Sequence, residues 1–228
     1  MNKYVLIVAG GKGLRMGGDL PKQFIPMRGK PLLMHTLEAF HRWDASARII
    51  LVLPEDHQPY WNMLCKEIGC KVPHAIVKGG DTRFFSVKNG LDWLLAERRR
   101  KGEEDSGLSL VAVHDGVRPF VSPEVVEACF DKAAVTGAVI PVVPMIDSLR
   151  ETDEKGSHPV DRSRYMAVQT PQVFHLELLT KAYEQPYSSL FTDDASVVEA
   201  IDTVPGDREN IKITTPFDLL IAEAMFAR

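Results

Sequence analysis

Short apolar runs rich in β-branched residues alternate with stretches whose apolar residues recur every three or four positions. The runs lie at residues 5–8, 49–53, 75–77, 110–113 and 138–143. Their near-continuous hydrophobicity is that of strands buried on both faces. The helical spacing occupies residues 31–40, 58–68, 86–98 and 123–134. Ser122-Pro123-Glu124 opens the last of these with a cap, a proline at the first helical position and an acid in the first turn. This alternation predicts an α/β fold with a Rossmann-like, doubly wound, mainly parallel sheet. Ligands in such sheets bind beyond the carboxyl ends of the strands.

One segment breaks the rhythm. Residues 147–165 are polar, with Glu151, Asp153, Glu154, Lys155 and Gly156 at what reads as a hairpin tip, before apolar character resumes at 166–168. The segment reads either as an arm projecting from the domain or as an ordinary solvated excursion. Arg98-Arg99-Arg100-Lys101 closes a helix, where cations complement the helix dipole, and no functional role is expected of it.

At 228 residues with 45% apolar content, the chain is read as a single domain spanning 1–228 with a large core. A net charge of −4 does not favour a nucleic-acid surface, so a small-molecule partner is expected. No charged-then-apolar leader and no bilayer-length apolar run stands in the sequence, so neither export nor membrane insertion is expected and the cytoplasm is the expected location. Cys65, Cys70 and Cys129 show no pairing or metal-ligand spacing and are read as buried or incidental thiols.

The candidate chemistry begins where the first strand runs into Ala9-Gly10-Gly11-Lys12-Gly13-Leu14-Arg15-Met16-Gly17-Gly18 and then Pro21-Lys22-Gln23. Glycines let successive main-chain N–H groups turn toward one anion, and Lys12, Arg15 and Lys22 can neutralise several phosphate charges. The loop therefore reads as a phosphate grip for a nucleotide, against the plainer reading of a flexible glycine turn. No Gly-Lys-Ser/Thr occurs, which disfavours a P-loop NTPase, and Met16 stands where a dinucleotide fingerprint wants a small residue. Two further loops follow strands: Lys78-Gly79-Gly80-Asp81-Thr82-Arg83 with Ser86 behind it, and His114-Asp115-Gly116-Val117-Arg118-Pro119. The first suits main-chain reading of a base, while the second offers a carboxylate and an arginine for hydroxyls, a cation or a phosphate. Asp-Gly is also plain turn chemistry. His114 at a strand end is left without a role.

Together with Gln169-Thr170-Pro171-Gln172, Thr192-Asp193-Asp194-Ala195-Ser196 and Asn210-Ile211-Lys212-Ile213-Thr214, these loops resemble the motif series of the 2-C-methyl-D-erythritol 4-phosphate cytidylyltransferase family over nearly the whole chain. The resemblance implies a nucleotide-diphospho-sugar transferase-like fold and a homodimer whose arm, 147–165, takes part in dimerisation. It implies CMP transfer from CTP to the methylerythritol phosphate with release of pyrophosphate, in non-mevalonate isoprenoid biosynthesis. Mg²⁺ is the implied cofactor, held mainly by the CTP phosphates, and no residue is singled out as a metal ligand.

By that resemblance, Arg15 and Lys22 match cations that stabilise the reacting phosphoryl centre, and Lys212 one that holds the attacking phosphate. Arg162 matches an arginine that the arm delivers into the neighbouring subunit's site. Asp115, Arg118, Ser148, Arg162, Thr170 and Thr192 match substrate-contacting positions. Ala9, Gly10, Gly11, Lys12, Gly13, Gly80, Asp81, Ser86 and Gly116 match positions around CTP. Ser148 replaces a common threonine and keeps the hydroxyl. Two alternatives stay open: a ribitol 5-phosphate cytidylyltransferase, which shares the glycine loop, and a non-catalytic nucleotide-binding module, which need not keep Arg15, Lys22 and Lys212 together.

Overall fold

The computed structural model describes residues 1–11, 20–103 and 107–227. All five apolar runs form strands: β1 (Asn2–Val8), then, past a short β2 (Pro26–Met27) and β3 (Lys30–Pro31) ladder, β4 (Arg48–Leu53), β5 (His74–Lys78), β6 (Ser109–Asp115) and β7 (Ala138–Pro144). The four helical stretches become α1 (Leu32–Trp43), α2 (Gln58–Ile68), α3 (Arg83–Lys101) and α4 (Pro123–Thr136). α3 begins three residues before its expected start, because Thr82 caps it by accepting from the Phe85 N–H. Ser122 caps α4 through the Val125 N–H, as its sequence indicates.

The strands bury both faces and sort their side chains by parity. Val5, Ile7, Ile49, Leu51, Leu110 and Ala112 join a core with Phe40, Trp61 and Phe130, on the side of α1, α2 and α4. Tyr4, Leu6, Ile50, Val52, Val111 and Val113 join another with Phe84, Leu91 and Leu94 of α3. Period-two alternation between two apolar layers explains why these runs carry so few polar residues.

Strands β5, β4, β1 and β6 lie side by side and parallel. Next to β6, an antiparallel line departs from the expectation of parallel neighbours. It is formed by β10 (Met166–Val168) and β11 (Gln172–His175), which pair with successive stretches of β7, while β11 also pairs with β6. A further strand, β12 (Asp202–Pro205), runs parallel to β7. The sheet is thus mainly parallel with one reversed line. Two helices not expected from the spacing follow: α5 (Leu176–Ala182), against the second core, and α6 (Pro216–Phe226), opened by a Thr215–Asp218 capping box.

Residues after β7 do form an arm. β8 (Leu149–Asp153) and β9 (Gly156–Val160) make a separate two-stranded ladder with Glu154 and Lys155 at its tip, almost wholly exposed. Gly156 has φ 128°, a conformation L side chains rarely adopt, and the Lys155 N–H donates to Asp153 Oδ1. Arg98, expected at a solvated helix end, instead turns inward and donates to Tyr4 Oη at 2.8 Å and Ser109 Oγ at 2.7 Å. Among the described residues no helix is long and apolar enough to cross a membrane.

Candidate active site

β1 leads through α1 to β4 on one side, while β6 lies on its other side and is reached by α3. The loops leaving β1 and β6 therefore part at the switch point of the sheet, where α/β proteins form ligand crevices. A cavity of about 250 Å³ opens there, bordered by the loops after β1, β5 and β6. A larger one, of about 440 Å³, lies between Arg98, Ser109 and His175, away from the glycine loop.

The cavity floor is made of main chain. The Ala9 N–H donates to Val52 O at 3.0 Å, Gly79 N–H to Leu53 O at 2.7 Å and Gly116 N–H to Val8 O at 2.9 Å, so each loop begins by extending its neighbour's ladder. A Cβ on Gly116 would stand 2.8 Å from the Ala9 Cβ, and one on Gly80 would stand 2.4 Å from the Phe85 Cβ. Ser86 fixes the second loop: its Oγ accepts from Gly80 N–H at 3.1 Å and donates to Thr82 O at 2.9 Å.

Lys22 and Gln23 enter on a short 3₁₀ turn, Lys22–Phe24. The Lys22 stem passes beside Gly11, where an added Cβ would stand in ordinary contact with its Cε at 3.4 Å. Gln23 is 1% exposed and its Nε2 donates to Ala9 O at 3.0 Å, tying that turn to the glycine loop. Its Oε1 is buried without a hydrogen-bond partner among the described residues.

Opposite stands a charge cluster centred on Asp115. Lys212 Nζ lies 2.9 Å, Arg118 Nε 3.3 Å and Arg83 Nε 3.9 Å from its carboxylate. Burial raises the Asp115 pKa, but Lys212, Arg83 and Arg118 outweigh it and hold the carboxyl well below the usual range. Arg83 also meets the buried Asp194 at 2.6 Å, and Asp194 accepts from Tyr183 Oη at 2.6 Å. Burial works against the Arg83 charge, yet Asp194 and Asp115 keep it firmly protonated.

His114 is spoken for on both ring nitrogens. Nε2 lies 3.0 Å from Arg118 O, which only accepts, so it carries the proton; Nδ1 then accepts from the Thr170 hydroxyl at 3.1 Å, and Thr170 accepts from the Asp115 N–H at 3.1 Å. Full burial pushes the imidazole down to about 4, so it is neutral and structural.

Of the residues expected here, Ala9, Gly10, Gly11, Lys22, Gly80, Asp81, Ser86, Asp115 and Lys212 border the cavity. Gly116 packs against Ala9, Arg118 holds Asp115 and donates to Asn210 O at 2.6 Å, and Thr170 supports Asp115 from behind with its hydroxyl already engaged. Ser148, Arg162 and Thr192 are exposed and are not among the residues bordering it. Arg162 donates to Ile146 O beside the arm. Lys12, Gly13 and Arg15 lie outside the described residues. Arg83, Thr82 and Gln23 border the cavity without having been assigned a role. For Arg83 the available signal was a cation that follows two glycines at a helix start, but its two carboxylate partners lie far along the chain.

A family model described as 2-C-methyl-D-erythritol 4-phosphate cytidylyltransferase matches residues 4–228. The protein of that name from Bacteroides fragilis is 55% identical over 229 residues, covering 99% of this chain and 100% of its own length. That of Bacillus licheniformis is 40% identical, covering 99% of this chain and 96% of its own. Among solved structures, the 2-C-methyl-D-erythritol 4-phosphate cytidylyltransferase of Thermus thermophilus is similar with a TM-score of 0.73 at 31% identity, each chain covered in full. The 4-diphosphocytidyl-2C-methyl-D-erythritol synthase of Anaerococcus prevotii gives 0.78 at 28% identity, covering 100% of this chain and 96% of that one. Glycine loop, charge cluster and final helix all fall within these matches, and the chain belongs to the 2-C-methyl-D-erythritol 4-phosphate cytidylyltransferase family.

Proposed function

We infer that this protein transfers the cytidylyl group of CTP to 2-C-methyl-D-erythritol 4-phosphate, giving 4-diphosphocytidyl-2-C-methyl-D-erythritol and pyrophosphate in isoprenoid biosynthesis. The observation that carries this reading is the crevice that the main chain of the glycine loop borders together with Lys22, Lys212 and Arg83. A phosphate-monoester oxygen of the acceptor attacks the α-phosphorus of CTP; its new P–O bond forms as the bond to pyrophosphate breaks in line. Two anions must be brought together, so fixed cations are the main requirement. Lys22 meets the charge developing at phosphorus, and Lys212, tethered to Asp115, holds the attacking phosphate. That phosphate is already largely ionised near neutral pH, its second pKa being about 6, so no general base is needed. A neutral, fully engaged His114 is consistent with this.

Mg²⁺ is proposed as the cofactor. Among the described residues no group of three or more His, Cys, Asp or Glu side chains could hold a metal, and the cavity's carboxylates are Asp81 and the cation-bound Asp115. This donor set fits an ion that enters on triphosphate oxygens, since Mg²⁺ keeps waters and takes few carboxylates. When bound, it would neutralise phosphate charge beside Lys22.

A homodimer is proposed as the working form. Ile146, Tyr165, Met166 and Val168 are exposed at the arm's base, and Arg162 and Ser148 have no place on this subunit's own cavity lining. Delivery of Arg162 into a second subunit's site would give them one. The cytoplasm is the proposed location, CTP being the donor.

The deciding experiment measures pyrophosphate release from CTP with 2-C-methyl-D-erythritol 4-phosphate and, in parallel, ribitol 5-phosphate. Strong preference for the former is expected, because a polyol whose hydroxyls failed to match the polar groups of the crevice would be disfavoured. Equal or faster release with ribitol 5-phosphate would assign the chain to the other reaction, and no release with either would leave a nucleotide-binding module.

A further inference from the structure

The carboxyl end of α2 carries chemistry that the nucleotide site does not use. The helix closes on Gly69 in a left-handed conformation, and the N–H groups of Gly69 and Cys70 both donate to the Cys65 carbonyl, that of Cys70 at 2.9 Å. In such a turn the residue after the glycine folds its side chain back onto the helix. Here both meeting positions are cysteine. A hydrogen bond between the two main chains keeps their Cα atoms inside the span a disulfide bridges, about 4.4–6.8 Å.

Both cysteine side chains pack against the same core at this turn. Their mutual interaction lowers Cys70 against the opposing effect of burial and raises Cys65, so Cys70 is the more acidic thiol of the pair. Both are partly exposed, whereas Cys129 is wholly buried and its thiol is pushed up to about 12. One turn before Cys65, the buried Trp61 ring stacks on Phe24, which shares a turn with Lys22 and Gln23.

We propose that Cys65 and Cys70 form a dithiol site that peroxide oxidises to an intramolecular disulfide and that thiol reductants restore. The Cys70 thiolate attacks one oxygen of hydrogen peroxide; the O–O bond breaks, hydroxide leaves, and Cys70 becomes a sulfenic acid. The Cys65 sulfur then attacks the Cys70 sulfur, the S–S bond forms, the S–O bond breaks, and the oxygen leaves as water. Two thiols lose two electrons and two protons, and the peroxide is reduced to two waters. The proposal is independent of the reaction at the nucleotide cavity.

Trypsin supplies a clean readout, because Lys66 lies between the two cysteines and the next cut follows Lys71. The folded full chain is treated with hydrogen peroxide, alkylated with iodoacetamide, and digested without reductant. Peptides 49–66 and 67–71 should be recovered joined by a disulfide, should separate with dithiothreitol, and Cys129 should not enter the pair. In Cys65→Ser, which removes the resolving thiol, Cys70 should advance to sulfinic and sulfonic acids that dithiothreitol does not reverse. Recovery of the two peptides separately from peroxide-treated wild type, or of Cys65 or Cys70 joined mainly to another cysteine, would overturn the proposal.

Discussion

The cavity at the β1–β6 junction and the β8–β9 arm both carry several charges, but their charges find partners on different scales. Around Asp115, Lys212, Arg118 and Arg83 converge from three separate stretches of chain, and Arg83 is held in turn by a buried Asp194. On the arm, bonds are local: Arg150 Nε donates to Ser157 Oγ at 2.9 Å across the ladder, and Asp161 Oδ1 accepts from its neighbour Ser163. Long-range pairing under low exposure fixes side chains before any ligand arrives, which is what an electrostatic catalyst requires. Local pairing on an exposed hairpin fixes the hairpin alone, leaving its outward charges to act on something outside the subunit.

The comparison is broken most sharply by Lys22→Ala. If the cavity is preorganised for developing charge, turnover should fall by about 3–4 kcal/mol of transition-state stabilisation with little change in CTP binding. Steady-state kinetics check this, and a raised KM with intact kcat would make Lys22 a ground-state binder.

Next in size is Asp115→Ala. Removing the shared partner leaves Arg118 and Lys212 facing each other, and breaking such a pair costs about 3 kcal/mol, the low end for buried ion pairs because Lys212 reaches water. Urea unfolding should show the loss; an unchanged midpoint would mean that the cluster contributes nothing to folding.

A smaller effect comes from pH. Native His114 stays neutral down to about pH 4, whereas in the unfolded chain histidine takes its proton near about 6.5. Between those values the unfolded state binds more protons, so stability falls as pH drops, by up to about 1.4 kcal/mol per unit for one group. His35 and His74, also lowered by burial, add to that slope. Urea midpoints from pH 7 to pH 5 should decline, and His114→Gln should remove part of the decline. Asp115, held low, contributes a further loss only below the ordinary carboxylate range.

The arm gives the smallest signal and the most discriminating one. Arg162→Ala should change stability by no more than about 0.5 kcal/mol, as an exposed substitution, yet abolish activity. Co-refolding it with inactive Lys22→Ala should restore about a quarter of wild-type sites, because half the dimers are mixed and each mixed dimer holds one intact site. Demonstrated mixed dimers without activity would return Arg162 to its own subunit.

How far the chain could be read in advance follows the same division. The parallel strands were legible because burial on both faces removes polar residues from β1, β4 and β6. β10, β11 and β12 were not, since each is only three or four residues long and their pairing depends on partners that spacing does not reveal. The arm was legible at its tip, where Asp153 and Gly156 are turn chemistry. The cavity's glycines and Lys22 sit at strand ends or in a motif, but Arg83's meeting with Asp194 and Gln23's clasp on Ala9 are products of folding. Thr170 stands between the two: its place in a motif suggested contact with substrate, and the bonds of its hydroxyl to Asp115 and His114 appear only in the fold.

The close approach of Gly116 to Ala9 has a practical consequence for inhibition. A Cβ on Gly116 would stand 2.8 Å from the Ala9 Cβ, so the floor beneath Ala9, which borders the cavity, cannot be reshaped by exchanging Gly116 for a larger residue. A compound whose affinity came from that floor, and not from the surrounding lysines and arginines, would press on a surface with few escape routes open to point mutation.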